Sequence, residues 1–238
     1  MGDWLIVALL TLMAGAAMPL GAMAATIDRF LPRWLEAEFQ HSVIAFGGGA
    51  LLSAVALVLV PEGIKELTIP AVILCFGLGG LAFMGLDRLL ARSESPASQL
   101  AAMLSDFIPE AAALGAAFAA GGDTGLLLAG LMALQNLPEG FNAYREMTDS
   151  GTIRGSHVII AFAAMALLGP VAGLSGYFWL SAYPSVIGGI MLFAAGGILY
   201  AIFEDIAVQV PLKRHWAPPL GALGGFLLGL IGQMLINQ

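Results

Sequence analysis

Apolar residues run almost unbroken over approximately residues 4–26, 42–61, 69–90, 98–120, 124–144, 156–178, 184–210 and 217–236. A helix needs about 20 such residues to cross the hydrocarbon core of a bilayer. The pattern predicts an all-α, polytopic membrane protein of eight transmembrane helices. Its connections are short, so residues 1–238 form one domain with no room for a separate soluble one. The residues between the runs are ones that end helices: Pro32, the 93–98 stretch with Pro96, Gly121-Gly122-Asp123, Ser150-Gly151, Pro184 and Pro218-Pro219. Ala22-Met23-Ala24 looks like a leader cleavage site, but Met1-Gly2-Asp3 carries an acid and no base. The first run is therefore read as a retained helix.

Two runs are interrupted by polar groups. Asp106-Phe107-Ile108-Pro109-Glu110 lies in the fourth and Gln135-Asn136-Leu137-Pro138-Glu139-Gly140 in the fifth. Asp106 and Glu110 are four residues apart, as are Gln135 and Glu139, which stacks each pair on one helix face. The proline between them donates no hydrogen bond, and this predicts broken helices with freed carbonyls at Ser105 and Leu134. Ionisable groups at membrane depth are costly and usually mark a polar pathway. Carboxylate, amide and carbonyl oxygens together suit a cation.

Composition fixes the solvent. With 59% hydrophobic and 11% charged residues, the chain is far from the soluble average of about 25% charged. The net charge of −7 leaves no basic patch to meet nucleic acid. Of the nine basic residues, only Lys65 falls in an even-numbered connection. Arg29, Arg33, Arg88, Arg92, Arg145, Arg154, Lys213 and Arg214 cluster around the odd-numbered ones. The positive-inside rule puts those connections in the cytoplasm and both termini outside it. An echo also joins Phe46-Gly47-Gly48-Gly49 in the second run to Phe193-Ala194-Ala195-Gly196 in the seventh, and the two Pro-Glu segments to each other. Partners of opposite direction make this an inverted-repeat expectation.

Taken together, these residues resemble the ZIP (Zrt/Irt-like) family of divalent metal transporters over essentially the whole chain. The 135–140 segment is a close match to the family's fifth-helix motif, and 106–111 matches the fourth at its proline and glutamate. Phe193 through Tyr200 to Glu204-Asp205 is similar to the seventh helix, and Val60-Pro61-Glu62 to the end of the second. The resemblance implies transport of a divalent metal toward the cytoplasm, across a cell (inner) membrane, at a mid-membrane site. Its ligands would be Asp106, Glu110, Gln135 and Glu139, with Glu204 and Asp205 as exit-side pathway acids. This chain departs from the family at Asp106 (usually histidine), Phe107 (usually asparagine) and Gly169-Pro170 (usually glutamate in the sixth helix). One site is then kept and the second loses two ligands, leaving Asn136 as an outer contributor and the site mononuclear.

An all-oxygen ligand set suits manganese comparatively well and still accepts zinc or ferrous iron. Zinc leads the expected cargo, with iron or manganese as alternatives, and metal entry should compete with protons. The expected partners are metal ions and the lipid bilayer, with a homodimer left open. Two other readings stand beside transport: a transport-inactive relative that binds or senses metal, and an intramembrane metal-dependent hydrolase. Against the hydrolase, and any enzyme, no His-Glu-x-x-His pair occurs.

Overall fold

The structure, a computed structural model, describes residues 2–27, 33–90, 96–119, 124–149, 153–209 and 216–236. No strand occurs among them, and these described residues form eight successive helical rods. The first is α1, Asp3–Ile27. In α2, Arg33–Ala54 continues through a π-helical turn, Val55–Leu59, into Val60–Gly63. Next come α3, Ile69–Leu90, α4, Pro96–Ala119, and α5, Thr124–Asp149. In α6, Gly155–Ala166 runs on through Leu168–Ser175 to a second π turn, Gly176–Leu180. In α7, Pro184–Ala201 leads into a third, Ile202–Ile206, and ends at Ala207–Gln209. The last is α8, Ala217–Ile236.

Seven of these rods contain a stretch long and apolar enough to cross a membrane. The remaining one, α5, is long enough at 26 residues but carries Gln135, Asn136, Glu139, Asn142, Arg145 and Glu146 from its middle onward. Its composition, and not its length, sets it apart. Helices suit this environment because every backbone group is satisfied within the segment. Side-chain hydroxyls follow the same economy. Thr11 donates to the Val7 carbonyl at 2.8 Å, Ser53 to Ala50 at 2.7 Å and Ser105 to Ala101 at 2.8 Å.

The expectation of broken helices is corrected. Pro109 lies inside an unbroken α4 and Pro138 inside an unbroken α5. One missing donor does not end a helix of this length when neighbouring rods hold it in place. Backbone irregularities do accompany two other prolines: α6 is interrupted at Leu167, three residues before Pro170, and α2 ahead of Pro61. Upstream of Pro61 the ladder shifts, and the Val60 N–H reaches back to the Val55 carbonyl in the π turn of α2.

The rods sort into two groups. α1, α4, α5 and α6 pack on one another, while α8 lies along α2 and α3 along α7. The groups meet mainly where α2 crosses α5 and where α4 meets α7. Within the apolar stretch of α2, 67% of residues are buried, against 11% in α3 and in α8, which places those two helices at the edge. In lipid, helices gain little from hiding apolar surface, so close packing at small residues holds them together. A Cβ at Gly21, Gly115, Gly49 or Gly79 would fall on the backbone of the adjacent helix, at Leu137, Gly173, Ala222 and Phe193 respectively.

α2 and α7 share a further likeness. A π turn starts nine residues after Phe46, at Val55, and nine residues after Phe193, at Ile202. The carbonyls of these two phenylalanines abut a glycine of an edge helix, Gly225 of α8 and Gly79 of α3. Toward the α2–α3 and α4–α5 connections the bundle is filled by Leu59, Leu114, Leu128, Met132 and Leu192, all buried. The opposite half holds a cavity. Arg88, Arg145 and Arg154 lie on that side, whereas Arg29, Arg92, Lys213 and Arg214 are outside the described residues.

Candidate functional site

Helical spacing builds the cavity wall. On α5, Gln135, Glu139 and Asn142 follow one another at intervals of four and three residues and so share one face. All three line a cavity of about 130 Å³, together with Asp106 of α4, Gly47 and Leu51 of α2, and Ile206 at the π turn of α7. Pro138 also faces it, its ring opposite Gly47, where a Cβ would come within 2.9 Å of the proline. The lining residues come from the first part of α2 and α4, the second part of α5 and the end of α7. These four stretches adjoin connections that alternate along the chain, so the cavity belongs to one side of the bundle.

Deeper in the bundle, Glu110 is fully buried and accepts a hydrogen bond of 2.6 Å from Nε2 of Gln135, itself 2% exposed. Because the Gln135 NH2 points at Glu110, its Oε1 is left over. Among the described residues five buried side-chain oxygens make no hydrogen bond; one, Gln233 Oε1, is on α8, and the other four gather here: Asp106 Oδ1, Glu110 Oε1, Gln135 Oε1 and Asn142 Oδ1. All four are acceptors, and each buried acceptor left without a donor costs about 1–3 kcal/mol. The carboxyl groups of Asp106, Glu110 and Glu139 also lie within electrostatic reach of one another. The complement of such a set is a cation, or donors supplied by water or protons.

Of the four expected ligands, Asp106, Gln135 and Glu139 share the cavity wall, and Glu110 joins them through Gln135. They do not form a closed cage. Among the described residues, no three His, Cys, Asp or Glu side chains stand close enough to hold a metal ion by themselves. Gln135 spends its amide on Glu110, so closure around an ion requires those side chains to turn.

The expected outer contributor, Asn136, faces elsewhere. It donates to the Ala14 carbonyl of α1 at 2.9 Å, tying α5 to its neighbour. Ser105 and Leu134, whose carbonyls were expected to join the site, line apolar grooves away from the cavity, at α3–α4–α7 and α5–α8 respectively. Glu204 is exposed and does not line the cavity, although Ala201 and Ile206 on either side of it do. The Asp205 side chain lies outside the described residues.

Phe107 is 1% exposed, and its ring fills the space between α1 and α6. A Cβ at Gly169 would lie 2.8 Å from Phe107 Cζ and 2.7 Å from the Thr11 carbonyl oxygen, and one at Gly15 would lie 2.9 Å from the same ring atom. No side chain fits at Gly169 beside this ring.

Sequence reasoning passed over Asn142. Its place three residues after Glu139 was the available signal, since that interval continues the Gln135–Glu139 face. No protein-family model and no curated protein matches the chain.

Proposed function

We propose that the protein is a divalent metal carrier of the ZIP type that moves zinc, and by the same ligands manganese or ferrous iron, across a cell (inner) membrane into the cytoplasm. The observation that carries this reading is the set of buried, unpartnered acceptor oxygens of Asp106, Glu110 and Gln135 beside a cavity in a largely apolar bundle. Oxygens of this kind replace the water shell of a hard or borderline cation. The one-sided cavity supports a carrier reached from one face at a time, and the direction rests on the family resemblance. The charge asymmetry supports a cytoplasmic cavity mouth and external termini.

The bound cargo is one ion per chain. Phe107 takes the space where the resembling family places an amide, and its contact with Gly169 leaves no room for a carboxylate opposite. The matched π turns and glycine contacts of α2 and α7 support an inverted repeat, with the Pro-Glu segments of α4 and α5 as its central pair.

Uptake of zinc by vesicles reconstituted with the full chain is the test. Wild type should accumulate zinc and bind one equivalent per chain, and Glu139→Ala should lose both. Binding without uptake would mark a transport-inactive relative. Two equivalent tight sites would contradict the mononuclear reading.

A further inference from the structure

We propose that Asn142 is a second cation contact, one turn beyond Glu139 on the route between the mid-membrane carboxylates and the basic side, and that Glu146 is the residue that positions it. This rests on the carrier reading above and extends it to a step that neither the motif residues nor Glu204 supply.

The geometry on α5 is specific. Asn142 Nδ2 donates to Glu146 Oε1 at 2.8 Å. A carboxylate accepts only from the NH2 end of the amide, so this bond fixes the side-chain orientation. Its Oδ1 is thereby left buried and without a partner, on a residue that lines the same cavity as Asp106, Gln135 and Glu139. Gln135 repeats the arrangement deeper in the bundle: its NH2 is held by Glu110 and its oxygen is left over. Two amides on one helix face therefore each donate to a glutamate and keep a carbonyl oxygen in reserve. A neutral oxygen holds a cation more weakly than a carboxylate does, which suits a step that must release its ion. Glu146, exposed four residues further on, continues the face into solvent.

The probe is zinc alone, with the full chain in detergent for equilibrium binding and in vesicles for uptake. Asn142→Leu should keep the single equivalent bound with an affinity within about two-fold of wild type, because the deeper ligands are intact. Its uptake at saturating zinc should fall about ten-fold, the scale set by losing one contact to a charge. Asn142→Asp should keep uptake and add a second, weaker equivalent to the titration. Glu146→Gln keeps the length but loses the anionic acceptor, and its uptake should fall between wild type and Asn142→Leu. Wild-type uptake by Asn142→Leu would overturn the proposal, leaving Oδ1 as a hydrated oxygen only. Loss of binding as complete as in Glu139→Ala would also overturn it, by making Asn142 part of the deeper site. Should Asn142→Leu fail to fold, the Asn142→Asp titration decides, and no second equivalent counts against the proposal. A wild type that neither binds nor transports zinc sinks the carrier reading itself, an outcome distinct from normal transport by Asn142→Leu.

Discussion

Asp106 stands at the cavity wall with one buried oxygen that accepts no hydrogen bond, which makes it the residue on which metal preference should turn. Replacing it with histidine exchanges an anionic oxygen for a neutral nitrogen. Imidazole favours zinc over manganese relative to an all-oxygen set. Asp106→His should therefore raise the zinc-to-manganese affinity ratio in a competition titration. An unchanged ratio would mean that Asp106 does not touch the ion, and the site would have to be drawn around Glu110 and Glu139. That Asp106, Glu110, Gln135 and Glu139 come together was legible because carboxylates and amides stand out in apolar runs and their four-residue spacing fixes a shared face. What spacing does not encode is which end of an amide points where. Asn136, beside Gln135 in the chain, turns to the Ala14 carbonyl of α1 because adjacent residues on a helix face different neighbours. The spare oxygen of Asn142 likewise depends on Glu146 having taken its NH2 group.

At the scale of a helix, α5 depends on Gly140 as much as on its polar face. A Cβ there would strike the backbone of Met18 in α1, and one at Gly21 of α1 would strike the carbonyl of Leu137. The two rods touch backbone to backbone on both sides of the Pro138-Glu139 segment. Gly140→Ala should destabilise the protein by about 1–3 kcal/mol, as overpacking does. Gly130→Ala is the control within the same helix, since a Cβ there meets nothing within 4 Å. Removing that glycine should leave stability unchanged or raise it by up to about 1 kcal/mol. Thermal unfolding of both variants in one detergent distinguishes them, and equal melting temperatures would contradict the packing account. Element positions were readable from apolar runs alone, but continuity through Pro109 and Pro138 was not. Local chemistry predicts a break at proline, whereas the surrounding rods decide whether the helix goes on. The π turns were equally hidden, because a shift of one hydrogen-bond register leaves little mark on hydropathy.

For the molecule as a whole, the runs of apolar residues foretold the number of rods and hence which of their ends lie together. The two packing groups were not legible, because they arise from which glycines find which backbones across the bundle. That arrangement has a functional consequence. α2 and α7 of one group and α4 and α5 of the other enclose the cavity between them, so its polar wall is on the α4–α5 side and faces a largely apolar α2–α7 side. Buried leucines and Met132 fill the opposite half, so the cavity lies on one side of the bundle. The most direct test of a metal site in this cavity is anomalous diffraction from crystals of the full chain soaked with zinc. The account predicts one intramembrane peak per chain, bounded by Asp106, Glu110, Gln135 and Glu139, with metal–oxygen distances of about 2.0–2.2 Å. No peak in the cavity, or zinc held only at surface residues while these four side chains stay as they are, would contradict it.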